Sequence, residues 1–158
     1  MRLLSEFSIK GSPSTRTAQQ KGCRVVPTVR GNQVIFYEKP EVRKDNEALY
    51  WQLYPHAPEK PFYGKLCIRL LWVFDKKSLT KAEDNTFNDK RPDLDNLAKG
   101  TLDVMQKAGI IAEDSIICKL DLTKAWSRQY AGLYVQIWHI DDDKDIKTFF
   151  YGWRQRIT

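Results

Sequence analysis

In GKLCIRLLWVF, residues 64 to 74, both alternating sets of side chains are apolar: Leu66, Ile68, Leu70, Trp72 and Phe74 in one, Cys67, Leu71 and Val73 beside Arg69 in the other. Successive side chains of a strand point to opposite faces, so a strand with one wet face alternates apolar with polar residues. A strand apolar in both sets is buried on both faces and belongs in the middle of a sheet. The pattern therefore predicts a central strand, to which the other segments supply neighbours and cover.

Those segments are legible in outline. EFSIKG reads as a first strand, and CRVVPTVRGNQVIFYEKP as two β-rich pieces joined by a turn at Arg30, Gly31 and Asn32. Pro40 suits the first turn of a helix reaching about Leu53, with Val42, Leu49 and Leu53 on one stripe, and the prolines of YPHAPEKP end it. DKKSLTKAEDNTFNDKR is charged and aperiodic, which predicts a long exposed loop. A second helix is expected from about Leu94 to Ala108, burying Leu94, Leu97, Ala98, Thr101, Leu102, Met105 and Ala108 and stopped by Gly109. SIICKLDLTKAW and GLYVQIWHI then read as a hairpin turning at Ser127 to Tyr130. The expected fold is α+β: one domain over residues 1–158, with a mixed sheet of about four or more strands packed against two main helices. An aromatic and basic tail, 146–158, closes the chain.

Composition narrows the function. The 158 residues are 42% hydrophobic, with 7 Phe, 7 Tyr and 5 Trp, enough to fill a core. Three dispersed cysteines, Cys23, Cys67 and Cys118, with no C-x-x-C and only two histidines, His56 and His139, argue against a disulfide framework, a zinc site or an imidazole-rich centre. No apolar run approaches the length of a membrane span, and a reducing cytoplasmic setting is expected. The formal net charge of +6 and pI near 9.2 favour a polyanionic partner.

The chemistry concentrates in KRPDLDNLAKG, residues 90 to 100. Asp93 can be a helix N-cap, its carboxylate accepting from free backbone N–H groups, with Asp95 complementing the helix dipole. The same placement suits a hard cation bridging protein and phosphodiester. A twelve-residue calcium loop starting at Asp84 fails, because Asp89 occupies the position that needs glycine and the last position lacks glutamate.

The run D-x-D-N-x-x-K, then a helix, KAG and EDS, at Asp93, Asp95, Asn96, Lys99, Asp103, Lys107, Ala108, Gly109, Glu113 and Asp114, resembles the RusA family of Holliday-junction resolvases, many carried by phages and prophages. The motif core lies within residues 90–126. The resemblance implies a metal-dependent endonuclease that resolves four-way DNA junctions in recombination and repair as a homodimer. It implies Asp93, Asp95 and Asp114 as catalytic carboxylates holding Mg²⁺, with Mn²⁺ able to substitute, and Lys99 in the catalytic set. Glu113 stands where the family commonly has aspartate. A nuclease for forks or flaps, or a non-catalytic nucleic-acid-binding module, are the rival readings.

Phosphodiester hydrolysis needs an activated water and neutralisation of charge at phosphorus, which divalent ions on carboxylates provide. Lys99, four residues from Asp95 and from Asp103, shares their helix face, either in solvated ion pairs or steadying a phosphate. Phosphate contacts are expected from Lys76, Lys77, Lys81, Lys90 and Arg91 in the loop and from Lys124 and Arg128 near the later turn. Trp126 and Tyr130 are expected as buried edge aromatics rather than stacking platforms. A helix to Ala108 carries the chain roughly 20 Å away, and the extended residues 109–114 return at most roughly 20 Å. Asp114 therefore rejoins Asp93 and Asp95 only if the chain doubles straight back; otherwise it comes from a partner chain.

Overall fold

The computed structural model describes residues 1–17, 20–76, 78–144 and 146–147. Nine main elements follow in order: β1 (Arg2–Lys10), β2 (Lys21–Thr28), β3 (Gly31–Glu38), α1 (Pro40–Leu53), β4 (Leu66–Phe74), β5 (Thr86–Phe87), α2 (Leu94–Lys107), β6 (Ile117–Trp126) and β7 (Gly132–His139). Five strands make one mixed sheet in the order β1-β7-β4-β6-β5, while β2 and β3 pair separately. The architecture is the expected α+β single domain, and β4 is its central strand.

The core lies between the sheet and the helices. Ile68, Leu70, Trp72 and Phe74 from β4 join Leu97, Ala98, Leu102 and Met105 from α2 and Leu53 from α1 in one buried cluster. Truncating a side chain such as Met105 or Leu70 to alanine would cost about 2–5 kcal/mol, the transfer loss plus the cavity. The opposite face of β4 is less covered than its apolar pattern suggests: Cys67 and Val73 are buried, but Arg69 is exposed, its guanidinium lying over the Trp138 ring at 5.6 Å. That device lets an apolar strand carry a cation, since the guanidinium stays wet while the aromatic face attracts it.

Helix α2 ends where sequence places its end. Gly109 adopts a left-handed φ of 77°, and the amide of Ile110 reaches back to the carbonyl of Met105. Gly132 is required for another reason: a Cβ there would run into the carbonyl of Ile9 on β1.

The expected hairpin of residues 115–126 and 132–140 is not formed. β6 pairs parallel with β4, and β7 pairs antiparallel with β4 on its other edge. The central strand thus lies between them, because its two-sided apolar surface gains more from two neighbours than from an edge position. The turn after β2 is also displaced by one position. Thr28 pairs with Gly31, leaving Val29 and Arg30 as the two turn residues.

The segment 75–91 is not a featureless exposed loop. It contains β5, buries Leu79, and buries Asn88 to 4% exposure. Its anchors are polar: Ser127 Oγ donates to Asn85 Oδ1 at 2.8 Å, and the Arg128 amide donates to Asp84. A loop tethered this way shows no hydrophobic period, which is why its order is invisible in the pattern of apolar residues. Trp126 packs edge-on to Phe74 and is half-buried as expected, but Tyr130 is 54% exposed. Lys77 and most of the tail, residues 148–158, lie outside the described residues.

Candidate active site

The segment entering α2 is held from β6. Lys124 donates its ammonium to the carbonyls of Lys90 and of Pro92, the latter at 2.8 Å, and the Asn88 amide donates to the Lys124 carbonyl at 3.0 Å. Pro92 follows a cis peptide bond and is buried. The end of the strand and the start of the helix are therefore one unit. Lys124, expected among the phosphate contacts, uses its donors to build the site's floor.

Asp93 occupies the N-cap position with extended backbone (φ −68°, ψ 143°), yet its side chain makes no capping hydrogen bond. Its carbonyl accepts the first helical bond, from Leu97 at 3.1 Å. The N–H groups of Leu94, Asp95 and Asn96 remain without intrahelical acceptors. Both Asp93 and Asp95 are exposed. A cap aspartate that does not cap leaves its carboxylate free for another partner, and a second carboxylate stands two residues on. That pair, beside unsatisfied N–H donors at the positive end of a helix, can share a hard cation with a phosphate oxygen.

Lys99 lies one turn further along α2, exposed, and among the described residues no ion pair joins it to Asp95 or Asp103. Beside this face runs a groove of about 530 Å³, bounded by the Gly11–Thr17 segment, by α1, and by Asn96 and Gly100 of α2. Arg16 stands in it, held at 3.1 Å to Asp45, which also accepts from Ser14. Arg16 and Asp45 were not among the expected site residues. Their signal, a basic residue in a Ser/Thr/Pro-rich stretch, is too common to select them.

The basic residues divide into two groups. Lys76 is paired with Glu83 at 3.0 Å and lies over the Trp126 ring, and Lys90 pairs with Asp89 at 3.3 Å. Lys81, Arg91 and Arg128 are exposed. The Glu83 carboxyl is pulled down to about 2 by hydrogen bonds from the Thr80 amide, the Lys76 ammonium and the Thr80 hydroxyl. This carboxylate stays charged at any pH where the protein works, so it keeps Lys76 in place.

Asp114 is placed far from the other two aspartates of its own chain. After α2 the chain crosses to the segment before β4, where Phe62 donates to the Ile110 carbonyl at 3.0 Å and accepts from Ala112 at 3.2 Å. Asp114 then opens a short 3-10 turn, Asp114–Ile116, immediately before β6, whereas Lys124 and the start of α2 meet at the other end of that strand. Seven strand steps from Ile117 to Lys124 span about 23 Å. Among the described residues no three acidic, histidine or cysteine side chains converge to hold a metal. The straight doubling back that one chain would need does not occur: the chain spends its return on the contacts with Phe62, and β6 itself makes the journey.

Comparison with known proteins adds to this geometry. The family model described as Endodeoxyribonuclease RusA matches residues 11–138. A curated relative, the crossover junction endodeoxyribonuclease rusA of Lactococcus phage r1t, is 31% identical over 124 residues, covering 78% of this chain and 88% of that protein. The match takes in the central strand, the aspartate pair, Lys99 and Asp114 together, and the chain belongs to the RusA family of endodeoxyribonucleases.

Proposed function

We propose that this family member resolves four-way DNA junctions by metal-dependent phosphodiester hydrolysis, working in the cytoplasm as a homodimer. The observation that carries the reading is the uncapped Asp93, whose carboxylate stands free beside Asp95 at a helix N-terminus. Family membership supplies the reaction class, and a relative named as a crossover junction endodeoxyribonuclease supplies the substrate.

Asp93 and Asp95 would hold Mg²⁺, with Mn²⁺ able to replace it, and the donor set suits either because both ions prefer hard oxygen ligands. When bound, such an ion supplies an activated water and neutralises charge on the phosphate. Lys99 places a compact positive charge one turn along, where charge develops on the transferring group. The free N–H groups of α2 orient the phosphate, and Lys124 keeps the helix entrance in register with β6. Asp114 completes each site from the second chain, a reading supported by its position at the opposite end of β6. Lys81, Arg91 and Arg128 engage the backbone of the junction arms, with Lys76 and Lys90 contributing less because each has an acidic neighbour.

A four-way junction has two-fold symmetry and needs two nicks, which a symmetric dimer with two equivalent sites delivers. The test is single-turnover cleavage of a four-way junction, a fork, a flap and a linear duplex of matched arm sequence, with Mg²⁺ and with chelator. Paired nicks in the junction, dependent on the metal and much faster than in linear duplex, are expected. Equal cleavage of all four substrates, or cleavage in chelator, would overturn the reading.

A further inference from the structure

Gly100 has no explanation inside the fold. It stands in the middle of α2, where glycine is among the weakest helix formers, and a Cβ built there would meet nothing within 4 Å. Neither the left-handed backbone that accounts for Gly109 nor the close approach that accounts for Gly132 applies to it. It borders the groove of about 530 Å³ that runs between α2, α1 and the Gly11–Thr17 segment. The floor of that groove is apolar, formed over the buried Trp72, Leu97 and Leu133. Its rim on α2 runs from Asn96 to Gly100, a little over one helical turn of about 5.4 Å.

The facing rim is a clamped strap. Ser12 Oγ accepts from the Asp75 amide at 3.1 Å, just past β4, while Ser14 Oγ donates to Asp45 of α1 and accepts from the Arg16 amide at 3.0 Å. Arg16 Nη1 donates to both oxygens of Asp45, at 3.2 and 3.1 Å. Among the described residues these are the only hydrogen bonds of its side chain. Nε and Nη2, whose N–H bonds lie parallel, therefore keep the fork that grips a phosphate. Asp45 thus fixes the guanidinium without using the donors that a ligand needs.

We propose that this groove receives one unstacked nucleotide from the branch point of the DNA, its base on the apolar floor beside Gly100, one phosphate at the N-terminus of α2 and the other at Arg16. The inference rests on the reading above in which Asp93 and Asp95 hold the phosphate to be cut. Asn96 joins the two places: its amide is one of the free N–H groups at the head of α2, and the same residue lines the groove. A nucleobase has an apolar face and polar edges, which suits an apolar floor with Asn96, Gln52 and Arg16 around it. Inside a linear duplex a base is stacked and paired, and it enters such a groove only by breaking both contacts. At a branch point the stack is already interrupted. The groove therefore selects branched DNA over linear duplex without reading sequence.

Fluorescence of 2-aminopurine, which is quenched in a base stack, tests the groove. Four-way junctions carrying the analogue at each nucleotide flanking the branch point in turn are bound with Ca²⁺ in place of Mg²⁺. Clear brightening at one position is expected with the unaltered protein, and its loss in Gly100→Leu, whose side chain fills the groove. Gly100→Leu should melt no lower than the unaltered protein, because leucine is the better helix former and the position is open. In Mg²⁺ it should nick the intact junction about tenfold to 10²-fold more slowly, the scale of a misplaced reacting group. Removing the base at the brightening position should restore its nicking, a rescue that damage to the fold would not show. Arg16→Gln should slow nicking roughly tenfold on intact and abasic junctions alike, as loss of one charge-assisted contact to phosphate rather than to base. No brightening at any flanking position, or brightening that survives Gly100→Leu, would overturn the inference. Brightening that Gly100→Leu abolishes, in a protein that nicks no DNA with Mg²⁺ or Mn²⁺, would support the groove and refute the nuclease reading.

Discussion

Lys124, near the end of β6, holds the carbonyl of Pro92 at 2.8 Å, and Pro92 immediately precedes Asp93. The strand therefore sets where Asp93 and Asp95 stand. Replacing Lys124 with methionine keeps the apolar stem but removes the donors from two carbonyls, a loss of about 1.5–3 kcal/mol for a hydrogen bond with a charged donor. Nicking should fall roughly 10-fold to 100-fold at saturating enzyme while junction affinity changes little. Single-turnover rates beside a binding titration would show it.

Lys99 should act on the chemical step. Lys99→Ala is expected to bind junction nearly normally and cleave about 10²-fold to 10³-fold more slowly, the scale of one preorganised electrostatic contact. Lys99→Arg should rescue it poorly, because a planar fork does not replace a compact point charge. Normal saturated cleavage by Lys99→Ala would return this residue to the solvated helix face.

The loop cations should differ among themselves. Removing Lys81 should reduce the salt dependence of junction binding by somewhat under one unit of slope if it neutralises one phosphate. Removing Lys76 should reduce it less, since its ammonium is already engaged by Glu83 at 3.0 Å. Equal slopes for the two alanine variants would show that the Glu83 pair opens on DNA.

Glu83 makes a prediction in pH. Its carboxyl titrates near 2 in the folded protein, below the ordinary 4.5, so its contribution to stability is complete above 4.5 and is lost as pH falls from 4.5 toward 2. The Thr80 amide should stay protected at pH 4, and Glu83→Gln should abolish the acid-dependent loss. A Glu83 carbon resonance titrating near 4.5 would contradict the contact network.

Much of this molecule is written in local pattern. The two-sided apolar run places β4 at the centre, the apolar stripe and Gly109 bound α2, and Pro40 marks the start of α1. Topology is not local: β6 and β7 each look like half of a hairpin, and only the competition for the edges of β4 parts them. The 75–91 segment is ordered by single polar anchors, Asn85, Asn88 and Asp84, which carry no periodic signal. At the site, the spacing of Asp93 and Asp95 was readable, as was the length constraint on Asp114. That the Asp93 side chain does not cap its helix, and that Lys124 faces inward to two carbonyls, depend on side-chain partners from distant segments.

The role proposed for Asp93, Asp95 and Asp114 is that of the carboxylates of a metal-dependent junction nuclease. It is tested most directly by changing each to asparagine and measuring nicking of a four-way junction in Mg²⁺ and in Mn²⁺ beside junction affinity. All three variants should fold and lose nicking in both metals, with binding kept or tightened as repulsion of phosphate is relieved. Unchanged cleavage in any two of the three would rule that role out.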